Sequence, residues 1–319
     1  GFDAGYAQGR IPKNGMMSKH IQIEANMSLA GANADVRIPL NVAAQKQALV
    51  KIYNIVTGGA VSTSKIDKYE EAVVKAANQL KAAGNKGVFV TGLDDVDAQL
   101  VAIAINQALQ SEAFNPNGAI LTRKGDAKAV AQLVADMKAG KVHTLIMNGV
   151  NPAYTLANSK DFVAALKSVK LSVSFSMKED ETSTLTTIAA AAPHYLESWG
   201  DVAITRGNYS IMQPTIRPLF NTKQFQEALL TWTDNTTPYY DFLKGFAATS
   251  LAGKSWNQAV HDGFVVADSF ALQSLPFNAA ASASTLAQAK SSNFDLVLYS
   301  KVGMGDGQQA NNPWLQEFP

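Results

Sequence analysis

The sequence of 319 residues has no cysteine, only four histidines and almost no excess of either charge. Without cysteine the chain cannot hold an iron–sulfur cluster on thiolates. The histidines are scattered and lack the spacing of metal ligands; they are His20, His143, His194 and His261. The 27 basic and 26 acidic residues give a net charge of +1. This balance argues against a nucleic-acid partner, because such a partner needs a basic surface.

Long apolar runs are also absent. No stretch approaches the roughly 18 consecutive apolar residues of a transmembrane helix, so the sequence predicts no transmembrane segment. The first residues, Gly1-Phe2-Asp3-Ala4, lack the basic and apolar regions of a signal peptide. Hydrophobic residues nevertheless make up 47% of the chain, which is enough for the core of a globular protein.

Short apolar runs alternate with longer amphipathic segments through most of the chain. Strands are predicted for residues 21–25, 87–92, 119–121, 144–147 and 171–175. Helices are predicted from Asn41 to Gly58-Gly59 and for residues 65–83, 96–109, 126–139 and 161–168. The cap of the third helix is predicted at Asp94 or Asp95, and that of the last helix at Ser159. Strands separated by helices of this length indicate βαβ units and a mostly parallel sheet with helices on both faces.

The pattern changes in the second half of the chain. A short helix is predicted for residues 179–187, followed by a hairpin or irregular strands at 202–205 and 209–212. Three helices are predicted next, at 223–232, 238–250 and 255–261. The remaining predictions are a loop with a short helix at 271–292, a strand at 293–299 and a loop-like tail at 303–319. We therefore expect an α/β fold with a mainly parallel sheet and a helical, Ala-rich C-terminal part. The predicted segments are 1–64, a strand and helix of an incomplete lobe; 65–220, a Rossmann-like α/β domain; and 221–319, a helical segment that returns to the first lobe.

Chemically suggestive residues each have a simpler structural interpretation. Residues 87–92 precede a helix but lack the G-x-G-x-x-G spacing, so helix capping by the aspartates that follow is favoured over phosphate binding. The turn Gly149-Val150-Asn151-Pro152 follows a strand and is equally consistent with ligand contact or with a tight turn. The acidic cluster at 178–182 is better explained by complementing a helix dipole than by acid–base catalysis. His194 with Glu197 is either a base with its orienting partner or, more commonly, a histidine packed in a loop.

Three segments resemble one branch of the molybdopterin oxidoreductase family: residues 17–37, residues 194–201 and residues 311–319. That branch is the large iron–sulfur subunit of alternative complex III, a quinol:cytochrome c oxidoreductase. The resemblance covers most of the chain and is weakest over residues 271–292. It implies molybdopterin-oxidoreductase-like domains. Since the family's last domain and its cluster-bearing cysteines are absent, we expect this sequence to be an excised fragment.

The polar lining of the family's cofactor site is only partly matched. Where family members carry Ala-Asp and Val-Val-Leu-Pro after Glu-Thr, this chain has residues 186–191, Thr-Thr-Ile-Ala-Ala-Ala. Where they show Thr-x-Thr-Asn, it has Asp201-Val202-Ala203-Ile204, and Asn208 replaces a later arginine. The resemblance marks seven retained positions as a vestigial pterin site: Gly149, Asn151, Pro152, Glu181, Thr182, Glu197 and Gly200.

The resemblance implies a role in electron transport without catalysis by this chain alone. We expect a scaffold module of a respiratory quinol:cytochrome c oxidoreductase that docks other subunits on the periplasmic side of the inner membrane. No cofactor is expected in this fragment; the family binds molybdopterin, and its iron–sulfur clusters lie elsewhere in the full subunit. Two alternatives stay open: a fragment of an active molybdopterin-dependent oxidoreductase, and a soluble two-lobed protein that binds a small ligand.

Overall fold

The computed structural model describes residues 2–116, 118, 120–122, 125–266, 276–299, 303–305, 307, 309 and 312–317. Contacts between residues divide the chain into two compact units. The first comprises Gly1–Pro116 and Gln273–Tyr299, and the second comprises Asn117–Leu272 and Ser300–Pro319. The segment around residue 280 thus returns to the first unit. The division predicted from the sequence, at residues 64 and 220, stays a prediction about domains.

Helices and strands alternate along both units. The helices are α1 (Phe2–Gly9), α2 (Leu29–Ala32), α3 (Val42–Thr57), α4 (Glu70–Ala83), α5 (Val96–Leu109), α6 (Ala127–Lys138), α7 (Pro152–Thr155), α8 (Ser159–Leu166), α9 (Phe225–Trp232), α10 (Tyr239–Ala247), α11 (Trp256–Asp262), α12 (Ala279–Leu286) and α13 (Pro313–Gln316). The strands are β1 (Ile21–Glu24), β2 (Val36–Pro39), β3 (Thr144–Asn148), β4 (Leu171–Ser176), β5 (Ile188–Ala191), β6 (Gly200–Thr205), β7 (Asn208–Met212) and β8 (Phe264–Val266).

The first unit is a helical layer beside a small parallel sheet. Strands β1 and β2 pair in parallel, and helices α3, α4, α5 and α12 pack around one apolar core. The residues at its centre include Val50, Val73, Val101, Ile105 and Leu286, all almost fully buried. Burial of these side chains, at roughly 25 cal/mol per Å² of apolar surface, is the main force holding the helices together.

Helix ends in this unit follow the local signals in the sequence. The Asn41 side chain accepts a hydrogen bond from the Ala44 N–H at the start of α3, and Gly58 ends that helix with φ +78°. Glycine suits this position because left-handed backbone costs it little. At the start of α5 the Asp95 carboxylate accepts from the amides of Asp97 and Ala98. The predicted caps at Asn41 and Asp95 are therefore confirmed, and Asp95 serves as a cap.

The second unit contains two sheets. In the first, β3, β4 and β5 are parallel. The β3 side chains Leu145 and Met147 pack with α6 and α8, whereas the β4 side chains Val173 and Phe175 pack with α9. This sheet thus has helices on both faces, as predicted. The second sheet, β6-β7-β8, is antiparallel. Of the two alternatives predicted for residues 202–205 and 209–212, a hairpin or irregular strands, the structure shows the hairpin. The fold is α/β with parallel sheets and many helices.

Two predicted strands are wrong, because no strand among the described residues pairs with them. Residues 87–92 and 293–299 are neither helix nor strand. In the first segment the Asn106 side chain takes the place of a strand: its Oδ1 accepts from the Phe89 N–H at 2.8 Å and its Nδ2 donates to the Phe89 carbonyl at 2.7 Å. An alternating apolar run predicts extended backbone, but a β-strand also requires a second strand to which its backbone can hydrogen-bond.

Smaller differences concern boundaries. Helix α8 begins at Ser159 itself, so this residue is not its cap. The helix predicted over 179–187 is reduced to one 3-10 turn, Ser183–Leu185, followed by β5. Of the strand predicted at 119–121, Ile120 forms an isolated bridge to Thr205, and Ala119 lies outside the described residues. The prediction for 271–275 also lies outside them.

None of the helices in the described part of the chain is both long and apolar enough to cross a bilayer.

Asn106→Ala tests whether the side-chain clamp on Phe89 stabilises the first unit. Asn106 is buried, so its replacement by alanine leaves the N–H and the carbonyl of Phe89 without this partner. We expect the free energy of unfolding to fall by about 2 kcal/mol, measured by chemical denaturation. The control is Asn78→Ala at an exposed position of α4, which should change it by less than about 0.5 kcal/mol. Equal effects of the two substitutions would contradict the clamp.

Candidate functional site

The turn after β3 contains three of the predicted site residues. Gly149 has φ +64°, a left-handed conformation that glycine adopts without strain. Its N–H donates to the Phe175 carbonyl of the neighbouring strand at 2.9 Å. Asn151 follows, and Pro152 begins the short helix α7, where its missing N–H costs nothing. The sequence therefore forms a tight turn at the carboxyl end of β3.

The turn after β4 is held by its own side chains. The Asp180 carboxylate accepts from the amides of Thr182 and Ser183 at 3.1 and 2.7 Å, and the Asp180 N–H donates to the Ser183 hydroxyl at 2.7 Å. This arrangement orders the chain just after the strand and fully buries the Thr182 side chain. The cluster at 178–182, predicted to complement a helix dipole, thus serves this turn instead, and Asp180 is the residue that shapes it.

The two turns meet through Asn151. Its Nδ2 donates to Glu181 Oε2 at 2.7 Å, and its Oδ1 accepts from the Thr182 N–H at 3.1 Å and from the Thr182 hydroxyl at 2.7 Å. The Thr182 hydroxyl in turn accepts from the Ala153 N–H at 2.9 Å. Because β3 and β4 are adjacent and parallel, their carboxyl ends lie side by side. The structure therefore brings together Gly149, Asn151, Pro152, Glu181 and Thr182.

Glu181 is the charged residue among these five residues. Glu181 is exposed, and the hydrogen bond from Asn151 holds the pKa of its carboxyl below the ordinary value. Neighbouring Asp180 opposes this shift by raising that pKa, and Lys178 favours it. Glu181 is thus held as an anion, which suits an acceptor of the Asn151 amide rather than a proton donor.

Glu197 ties two loops of the second unit together. Its Oε2 accepts from the His194 N–H at 3.1 Å, and its Oε1 accepts from the Leu219 N–H at 3.3 Å. The His194 ring accepts at Nδ1 from the Leu196 N–H at 3.2 Å and closes a capping box. The carboxylate thus binds the backbone of His194 and does not orient its ring. The hydrogen bonds of Glu197 thus join residues 194 and 219, and they do not connect Glu197 to Asn151 or Thr182.

Gly200, the last predicted site residue, opens β6 beside Met212. A Cβ built on Gly200 would lie 2.7 Å from the Met212 Cε. Glycine at position 200 leaves room for the Met212 side chain of the neighbouring strand β7. The contact lies within the β6–β7 hairpin and indicates a packing role for Gly200.

Aromatic packing explains the rest of the segment 194–201. The Trp199 ring lies 4.8 Å from that of Tyr240, and Trp256 Nε1 donates to the Tyr240 hydroxyl at 3.0 Å. Tyr209 donates to Asp201 Oδ2 at 2.8 Å, and burial, aided by that carboxylate, raises the pKa of Tyr209. The Asp201–Tyr209 pair was missed, since only the hairpin register reveals it.

The donor chemistry of these residues does not provide the ligand set of a bound metal ion. The chain offers no thiolate. In the part that the structure describes, no three His, Asp or Glu side chains lie close enough to hold a metal ion. The polar atoms of Asn151 and Thr182 bind one another instead of pointing outward. We therefore derive no catalytic step through a metal–pterin group.

Asn151→Ala tests the electrostatic part of this arrangement. Loss of the amide donor should raise the pKa of the Glu181 carboxyl toward its ordinary value, as measured by NMR titration. A carboxyl with a lowered folded pKa stabilises the fold above its unfolded pKa and loses this contribution as the pH falls through the folded pKa. The variant should therefore lose part of its stability at neutral pH and less in acid. Asn158→Ala, at an exposed position nearby, should leave the Glu181 titration unchanged; an equal shift would contradict the assignment.

Comparison with known proteins supports the fold. No family model matches the sequence, and no curated protein matches it. Among solved structures the chain is similar to acetylene hydratase from Pelobacter acetylenicus, with 13% sequence identity and a TM-score of 0.58. The match covers 78% of this chain and 48% of that one, so the chain spans about half the length of the structure it matches. This likeness supports a molybdopterin-oxidoreductase-like fold.

Proposed function

We propose that this chain is a non-catalytic, molybdopterin-oxidoreductase-like scaffold module of a respiratory quinol:cytochrome c oxidoreductase. In this role it docks neighbouring subunits and positions the electron-carrying part of the complex on the periplasmic side of the inner membrane. The assignment to this complex rests on the resemblance of residues 17–37, 194–201 and 311–319. The observation that carries the non-catalytic part is the internal use of the polar groups around Asn151.

The Asn151 carboxamide has little capacity left for a ligand. A carboxamide has two donor hydrogens and an oxygen with two lone pairs. The oxygen already accepts two hydrogen bonds from Thr182, and one of the hydrogens is donated to Glu181. A pterin at this turn would have to break the hydrogen bonds that join the turns after β3 and β4, which would leave the buried Thr182 hydroxyl without an acceptor. This cost supports a structural role for the retained residues.

The replaced family positions point the same way. In β6 the chain carries Asp201 followed by three apolar residues, and Asp201 accepts a hydrogen bond from the partly buried hydroxyl of Tyr209. Asp201 thus serves the β6–β7 hairpin. The Glu197 carboxylate binds two backbone amides and serves the adjacent loops. Polar groups with these partners stabilise the unit and favour a scaffold over an enzyme.

Metal and pterin analysis of the intact complex tests this proposal. The complex is purified with this chain in its full-length form, and molybdenum and tungsten are measured by mass spectrometry alongside pterin fluorescence after oxidation. Iron in the same sample is the internal control, because the clusters of the complex should supply it. We expect abundant iron with molybdenum, tungsten and pterin far below one per chain. Stoichiometric molybdenum or tungsten with pterin would overturn the proposal in favour of an active oxidoreductase.

A further inference from the structure

A cleft in the first unit lies beside the start of helix α3. Its volume is about 590 Å³, which falls in the range of small-molecule sites, roughly 300–1,000 Å³. The lining residues lie in three segments, 39–47, 64–69 and 289–291, and all of them belong to the first unit. The cleft therefore shares no residue with the turns around Asn151, which belong to the second unit.

The buried side chain of Gln47 holds the three segments of the cleft together. Its Nε2 donates to the carbonyls of Ala287 and Ala289 at 2.8 and 3.1 Å. Its Oε1 accepts from the Ser64 N–H at 3.0 Å. Because Gln47 is itself part of α3 and is buried, these hydrogen bonds fix the two loops beside that helix. The protein thus shapes the cleft through its own contacts.

Positive charge predominates around the cleft. Among the described residues that line it, Lys65, Lys68 and Lys290 are basic, and Asp67 is acidic. Glu70 lies close enough for Lys65 to favour its anion, but its carboxylate already binds Lys51 at 2.8 Å. No carboxylate in the described part of the chain forms an ion pair with the three cleft lysines; the lysines that have such a partner are Lys46, Lys51, Lys138, Lys141 and Lys254.

This lining matches a phosphate better than a carboxylate. Three positive charges and one negative charge leave an excess of two, and a phosphate monoester carries close to two negative charges near neutral pH. Lysine binds phosphate as a compact point charge. The hydroxyl groups of Ser64 and Ser291 also line the cleft and can donate to phosphate oxygens. The half-buried side chains of Pro39 and Tyr69 offer apolar surface to an organic group.

We propose that this cleft binds a small phosphate monoester, whose phosphate contacts the lysines and whose organic group packs against Pro39 and Tyr69. The inference goes beyond the scaffold role, because it gives the first unit a ligand of its own. Since the three lining segments are distant in sequence, a ligand that contacts all of them also stabilises the first unit by mass action.

NMR titration of the full-length chain tests the binding and maps it. The probes are phenyl phosphate, inorganic phosphate and acetate, at an ionic strength of about 0.1 M. Phenyl phosphate should shift the amide resonances of residues 64–69 and 289–291. It should bind at least about threefold more tightly than inorganic phosphate, because its ring leaves water. Acetate has a single charge and should bind at least about tenfold more weakly than inorganic phosphate.

Charge-removing variants test the part played by the lysines. Lys65→Gln and Lys290→Gln alter exposed side chains, and each should weaken the binding of phenyl phosphate at least about fivefold. The matched control is Lys81→Gln, which removes the same charge from the last turn of α4. This exposed lysine lies roughly 16 Å along the helix from Glu70, beyond the screening length of about 10 Å, and should change the affinity less than about twofold.

Four results would overturn the proposal. They are the absence of saturable binding, resonance shifts confined to other residues, equal weakening by Lys81→Gln and Lys65→Gln, and binding of phenyl phosphate no tighter than that of inorganic phosphate. None of them bears on the scaffold role, which the metal and pterin analysis decides separately.

Discussion

Asn151 and Thr182 make the contact on which the candidate site depends. One carboxamide oxygen accepts both the amide and the hydroxyl of a fully buried threonine, and so joins the turns after β3 and β4. Removing the Asn151 carboxamide would leave the hydroxyl hydrogen of the buried Thr182 without its acceptor, which costs more than the bond itself contributes. The positions of Gly149, Pro152 and Glu181 follow from this contact, because they belong to the two turns that it joins.

The same residue types occur at ligand sites and at structural turns, and their partners decide between the two roles. Glycine, asparagine and a nearby carboxylate at the end of a parallel strand are typical of ligand binding in open α/β sheets. Here the asparagine and the carboxylate are bonded to each other. Glu197 and Asp201 likewise bind protein groups, the first two backbone amides and the second the Tyr209 hydroxyl. The partners of these residues therefore indicate that they stabilise turns and loops of the second unit.

Local signals in the sequence predicted local structure well. The caps of α3 and α5, the end of α3 at Gly58, and the β6–β7 hairpin depend on neighbouring residues and were predicted correctly. The strands at 87–92 and 293–299 were not, because strand pairing depends on a partner that is distant in sequence. Asn151 lies close to Glu181 and Thr182 because these residues follow two adjacent parallel strands, whose carboxyl ends lie side by side. Their mutual hydrogen bonds depend on the second turn, which Asp180 shapes and which the sequence pattern did not reveal.

A double-mutant cycle between Asn151 and Thr182 tests the central claim most directly. The free energies of unfolding of Asn151→Ala, Thr182→Val and the double variant are compared with that of the unaltered chain. If the two side chains stabilise the fold through each other, the double variant loses less than the sum of the single losses, with a coupling of about 1 kcal/mol. Additive losses, with a coupling near zero, would show that the two residues act independently and would contradict the account.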